Sequence, residues 1–247
     1  MHEEEKRTSA MGHGASCMGW REGGVDAGRL RGRGWSVLND EEDEEDEEED
    51  GGDNGRCREV RVAVVGDTGV GKTALVRRFV KGDSDEDDGN RNSNNNSTIG
   101  VECQTKVVRQ DGRAYRVAVV DCGGRRKYEG LAQGFLARCD VALVAFDAAR
   151  ADTLDGAAAW VRTWKRSKFF ADCPWVLVGL ERDGVRQDVV GKRAQQLADA
   201  EGACCVLCAS VCARSSVGAV FAEALRIVED CRAHSNNDND DNSKVSW

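Results

Sequence analysis

The stretch Gly66 to Thr73, GDTGVGKT, holds the residues with the clearest chemistry in the chain. It fits G-x-x-x-x-G-K-[ST] and stands between a β-rich apolar run, VRVAVV, and a helical pattern, ALVRRFV. In that setting Gly66, Gly69 and Gly71 let the backbone wind so that its N–H groups, those of Asp67, Thr68 and Val70 included, point inward at phosphate oxygens. The helix that begins at the loop adds the positive end of its dipole. Lys72 is then placed to reach the β and γ phosphates of a nucleotide, and the hydroxyl of Thr73 is placed to hold Mg²⁺.

Such a loop works only where a strand ends and a helix starts, so the surrounding elements matter. From Glu59 onward apolar β-rich runs alternate with helical patterns: VRVAVV, TALVRRFV, YRVAVVDC, DVALVAFD, AAAWVRTWKR, PWVLVGL, AQQLADAEG, CCVLCAS and VGAVFAEALRIVED. This alternation predicts an α/β fold of the P-loop NTPase kind, with a mostly parallel central sheet and helices on both faces. In the last helix Val217, Val220, Phe221, Ala224, Leu225 and Val228 fall on one face. A ligand belongs at the carboxyl ends of the strands.

The folded domain is read as residues 58–232. Residues 1–57 form an acidic N-terminal extension, with 17 Asp/Glu against 7 Lys/Arg and an unbroken acidic run from Glu41 to Asp50. That run has no apolar residue to bury, and the extension is expected to be disordered, either a solvated tail or a docking or autoinhibitory segment for a basic partner. The polar stretch Lys81 to Ser97 is expected to be a surface loop, and residues 233–247 a disordered C-terminal tail.

Apart from the extension, the remaining charges nearly cancel, 27 acidic against 28 basic, which gives no electrostatic reason to expect nucleic acid. The 11 cysteines are odd in number and scattered, with no secretory leader pattern, so a reducing, cytoplasmic setting is expected. No apolar run approaches the ~20 residues of a membrane-spanning helix.

The stretch STIGVECQTKVVRQDGRAYRVAVVDCGG resembles the segment linking the two switch regions of Rab-type small GTPases, and it holds that family's spacing without a gap. The resemblance covers about residues 58–232 and implies GTP/GDP as ligand, with Mg²⁺. It implies that Thr98 senses the γ-phosphate and ligates Mg²⁺, and that Asp121 and Gly124 form the D-x-x-G motif. Metal ligation falls to Thr73, Thr98 and Asp121. It also implies that Asp183, with Ser210 and Val211, reads the base, and that effector, exchange-factor and activating proteins are partners. A carboxylate at a strand end and a Gly N–H beside it suit these roles chemically.

Several positions depart from that pattern. Arg125 stands where the family has the Gln that orients the attacking water; a guanidinium can stabilise developing negative charge but has no acceptor for a proton, so slow hydrolysis is expected. The base motif N-K-x-D is Leu180, Glu181, Arg182, Asp183, which keeps the carboxylate that pairs with guanine but loses the Asn amide and the Lys stem. The Ser-Ala-Lys loop is Ser210, Val211, Cys212 and is expected to keep only its backbone donors. Cys103, Val120 and Phe135 replace the family's effector-facing aromatic triad. The terminal prenylation cysteines are not matched and residue 2 is His, so no lipid anchor is expected.

Two other groupings are set aside. Cys204, Cys205, Cys208 and Cys212 lack paired zinc spacing and are read as small hydrophobes across a predicted buried strand and its loop. Trp160 and Trp164, four apart in one helix, are read as core. The sequence thus supports a divergent Rab-like GTPase. A scaffold that keeps the fold without turnover is the alternative, and a P-loop kinase or ATPase is disfavoured because no acceptor site or lid fits between the switches.

Overall fold

The computed structural model describes residues 35–37, 57–82, 98–166, 173–181 and 188–242. The acidic run 41–50, most of the polar stretch at 83–97, and Arg182 and Asp183 lie outside them.

Seven strands form one sheet: β1 (Trp35–Val37), β2 (Arg58–Val65), β3 (Val101–Gln110), β4 (Arg113–Cys122), β5 (Val141–Asp147), β6 (Trp175–Glu181) and β7 (Cys205–Ser210). Their spatial order is β1-β3-β4-β2-β5-β6-β7. The pairs β4–β2, β2–β5, β5–β6 and β6–β7 are parallel, while β3 lies antiparallel to β4. The β3–β4 hairpin closes through Asp111 and Gly112, both at positive φ (50° and 79°), as a tight Asp-Gly turn requires.

Five helices cover the sheet: α1 (Lys72–Lys81), α2 (Glu129–Leu136), α3 (Asp152–Lys165), α4 (Asp188–Glu201) and α5 (Arg214–Asn242). Strands β5 and β6 are buried at every position, because helices lie on both of their faces. The core therefore divides in two. On one face Leu75, Val76 and Phe79 of α1 pack with Val217, Phe221 and Leu225 of α5. Phe79 stacks on Phe221 with ring centroids 3.6 Å apart. On the other face Leu154, Trp160 and Trp164 of α3 pack with Leu136 of α2 and Ala194 of α4. All six apolar positions predicted on the last helix are buried.

Three boundaries differ from the sequence reading. Helix α1 runs through Lys81 and ends at Gly82, whose φ of 70° and N–H to the Arg78 carbonyl close it. Helix α5 continues to Asn242, past the boundary placed at residue 232, so the reading of 233–242 as disordered is corrected. Its packed first part propagates the helix, and Ser235 and His234 bond back to the carbonyls of Cys231 and Asp230. Within the extension, Trp35–Val37 is not coil either: its backbone pairs antiparallel with Val108–Gln110 at the open edge of β3. An unpaired edge accepts any short β-capable segment, and WSV is one.

The cysteines also divide by position. Burial pushes the Cys205 thiol up to about 12, in keeping with the reading as a small hydrophobe. Cys208 is exposed because β7 is the last strand of the sheet and turns one side to solvent, and Cys212 is exposed in the loop that follows β7. That reading is therefore corrected for these two.

Candidate nucleotide site

At the carboxyl end of β2 the chain leaves the sheet through Gly66, whose φ of 138° suits glycine. A Cβ there would sit 2.2 Å from the Ala145 carbonyl oxygen of β5, so glycine is also required by space. Gly69 and Gly71 hold φ of 80° and 108°, and α1 begins at Lys72. Val70 is buried and anchors the loop, while Thr68 and Gly69 stand exposed.

Lys72 is buried, and its ammonium donates to the carbonyls of Gly66 at 2.9 Å and Asp67 at 2.8 Å. The side chain therefore crosses under the loop as the motif demands. Burial lowers its pKa, and the carboxylate of Asp121 opposes that shift.

Beside it three side chains from separate parts of the chain converge. The Thr73 hydroxyl donates to Asp121 Oδ2 at 2.6 Å, and the hydroxyls of Thr73 and Thr98 are 2.7 Å apart. Thr98 also reaches Asp121 Oδ2, at 3.4 Å. Asp121 is 1% exposed, and its other oxygen, Oδ1, is buried with no hydrogen-bond partner. Burial raises its carboxyl pKa, against the bond from Thr73 and the charge of Lys72. An orphaned carboxylate oxygen beside two hydroxyls is an all-oxygen set that fits a hard divalent cation such as Mg²⁺. Thr73, Thr98 and Asp121 are the residues that would hold it, and the ion would neutralise phosphate charge there.

Gly124 lies directly against the loop: a Cβ on it would be 2.4 Å from the Thr68 nitrogen and 2.5 Å from the Asp67 carbonyl carbon. The glycine that ends D-x-x-G thus packs its backbone on the phosphate loop. Arg125 is exposed and extended (φ −80°, ψ 132°), and its carbonyl accepts the Tyr128 N–H at 2.9 Å. Among the described contacts none joins its guanidinium to the oxygen cluster.

The base-reading side differs more. Leu180 is wholly buried, and its Cδ1 lies 3.4 Å from where a Gly71 side chain would begin, with Val211 Cγ1 at 4.0 Å. An apolar contact thus stands where the family's base motif carries an Asn. Ser210 and Val211 were expected to offer free backbone donors. Instead the Ser210 N–H donates to Ser216 Oγ at 3.1 Å, and the Val211 N–H to the Glu181 carbonyl at 3.1 Å. The β6–β7 ladder and the first turn of α5 have claimed them. Asp183 lies outside the described residues.

One participant escaped sequence reasoning. Trp160 is core, fully buried with its ring centroid 5.7 Å from that of Trp164, yet its indole N–H donates to Asp67 Oδ1 of the phosphate loop at 3.0 Å. Helical spacing identifies a buried stripe but not what a polar atom at its end will meet.

On the switch surface Ile99, Leu131 and Phe135 are large apolar residues that stay exposed, at 81%, 50% and 41%. Cys103 faces Val120 across the β3–β4 ladder. Among the described residues no helix is long and apolar enough to cross a membrane.

Comparison with known proteins agrees with this geometry. The model of the Ras family matches residues 61–230, well over half of the chain. The Ras-related protein RABA1a of Arabidopsis thaliana is 31% identical over 102 residues, covering 41% of this chain and 44% of the relative. Rab-22A of Mus musculus is 31% identical over 105 residues, 42% of this chain and 50% of the relative. Rab11D of Lotus japonicus is 30% identical over 102 residues, 41% and 44%. The chain thus spans about half the length of the curated relatives it matches. Together with the loop, the oxygen cluster and the sheet order, these matches establish that the chain belongs to the Ras family and is Rab-like within it.

Proposed function

We propose that this protein is a molecular switch of the small-GTPase kind, binding GTP and GDP with Mg²⁺ and hydrolysing GTP slowly. The convergence of Thr73, Thr98 and Asp121 around a buried, unpartnered carboxylate oxygen carries the reading. Those residues come from the phosphate loop, the first switch and the strand before the second, and a Mg²⁺–nucleotide is the ligand that gives all of them a common task. In this reading Lys72 and the loop amides grip phosphate, Gly124 reports the γ-phosphate, and Asp183 pairs with guanine. Arg125 supplies positive charge but cannot take a proton from water, so turnover is slow. The protein acts in the reducing interior of the cell, in vesicle traffic or signalling. Its partners are effector, exchange-factor and activating proteins that meet Ile99, Leu131 and Phe135.

A second reading, a scaffold that keeps the fold without turnover, is favoured by a specific observation: Leu180 packs apolarly on the loop, and the Ser210 and Val211 donors are committed. Titration of the full chain with fluorescent GTP, GDP and ATP analogues, with and without Mg²⁺, separates the two. Guanine-selective, Mg²⁺-dependent binding that Lys72→Ala abolishes supports the switch. No binding by the wild type, or equal binding by wild type and Lys72→Ala, refutes it.

A further inference from the structure

Asp67 puts a carboxylate into a loop whose amides are built to meet anions. Short acidic side chains bond readily to nearby backbone N–H groups, so a free Asp67 would compete for those donors. The fold prevents this from α3. Oδ1 accepts the Trp160 Nε1–H at 3.0 Å, and Oδ2 lies only 1.8 Å from where a Cβ on Gly156 would be. Gly156 and Trp160 are four residues apart, hence on one helix face, and together they form a niche that only a glycine leaves open.

The same indole touches the second switch. The Arg126 guanidinium lies 5.9 Å from the centroid of its ring, and Gly124 packs its backbone on residues 67 and 68 from the other side. Trp160 thus meets the phosphate loop through its N–H and the second switch through its ring.

We propose that Trp160, with the niche at Gly156, is a positioning residue that pins the Asp67 carboxylate away from the phosphate-binding amides and couples the loop to the second switch. This inference deepens the nucleotide-switch reading and rests on it for its consequence, the retention of nucleotide. Trp160→Phe keeps an aromatic ring for Arg126 and loses the N–H; Gly156→Ala fills the niche and expels the carboxylate. A hydrogen bond to a charged group is lost in either case, which corresponds to a rise of about tenfold in the dissociation rate of N-methylanthraniloyl-GDP from the full chain.

Trp164→Phe, in the neighbouring indole, is expected to leave that rate unchanged, and Asp67→Ala, which removes the competing carboxylate, is expected to return Trp160→Phe to within about twofold of the wild-type rate; a double variant as fast as Trp160→Phe overturns the competition. Rates for Trp160→Phe and Gly156→Ala within about twofold of wild type would overturn the proposal. Should one of these two variants fail to fold, the other decides the proposal. If the wild type binds no labelled nucleotide, the switch reading fails, and positioning is read instead from amide hydrogen exchange of residues 66–73 in the nucleotide-free chain. Slower exchange there in Trp160→Phe, as the released carboxylate engages those amides, at an unchanged melting temperature, supports the pin, and equal or faster exchange overturns it.

Discussion

Leu180→Asn restores the residue that a Rab-like base motif would carry, and it tests whether position 180 still belongs to a base site. Leu180 is 0% exposed, with Cδ1 and Cβ set 3.4 and 3.8 Å from the point where a Gly71 side chain would start. Removing that side chain from the core forfeits about 1.5–3 kcal/mol of burial. An amide left there without partners costs a further 1–3 kcal/mol or so. The expected sum is about 2.5–6 kcal/mol, and for a domain of this size each kcal/mol lowers the melting temperature by roughly 2–4 °C, so a fall on the order of 10 °C follows. The assay is thermal unfolding of the full chain followed by circular dichroism, paired with titration by labelled GDP. A melting temperature within about 2 °C of wild type, together with a gain of about tenfold or more in GDP affinity, would refute the reasoning, because the amide would then have found the partners of a working base site.

Arg125→Gln, at an exposed position, is expected to shift stability by less than about 0.5 kcal/mol while raising single-turnover hydrolysis of GTP; an unchanged rate removes Arg125 as the cause of slow turnover. Thr98→Ala, by removing one of the converging hydroxyls, is expected to raise the Mg²⁺ concentration needed for half-maximal nucleotide retention by about tenfold, and Asp121→Asn by more; a Mg²⁺ titration that moves for neither variant refutes the oxygen cluster as the cation site. Asp183→Asn should turn base preference from guanine toward xanthine in competition titrations, and no shift would mean that the base is not read by Asp183. The carboxyl of Glu201 is opposed by partial burial, yet Arg162 at 2.7 Å and Lys165 at 3.1 Å together hold its pKa below the ordinary value. A lowered folded-state value gives stability that is complete above the ordinary Glu range and lost as pH falls through the lowered one, so Glu201→Gln should flatten the melting temperature between about pH 5 and 3.

The strand-helix alternation and the phosphate loop were legible in the sequence, because each rests on local pattern. Period-two and continuous apolar runs named the strands, the face of α5 followed from its spacing, and GDTGVGKT with its flanks specified a strand-to-helix turn. Thr73 came from the phosphate-loop motif and Thr98 and Asp121 from a spacing resemblance, but their meeting within hydrogen-bond distance depends on β2, α1 and β4 being neighbours in space. Sequence pattern could not say that Leu180 would pack against the Gly71 backbone, that Ser210 and Val211 would spend their N–H groups on Ser216 and Glu181, or that Trp-Ser-Val would pair at the edge of β3. Nor could it place the Trp160 N–H on Asp67, 93 residues away, over a glycine whose missing side chain makes the room. Local chemistry fixes which element a residue joins; which polar atoms satisfy one another is settled only when distant elements pack, because burial forces each donor to find whatever acceptor the tertiary fold brings within reach.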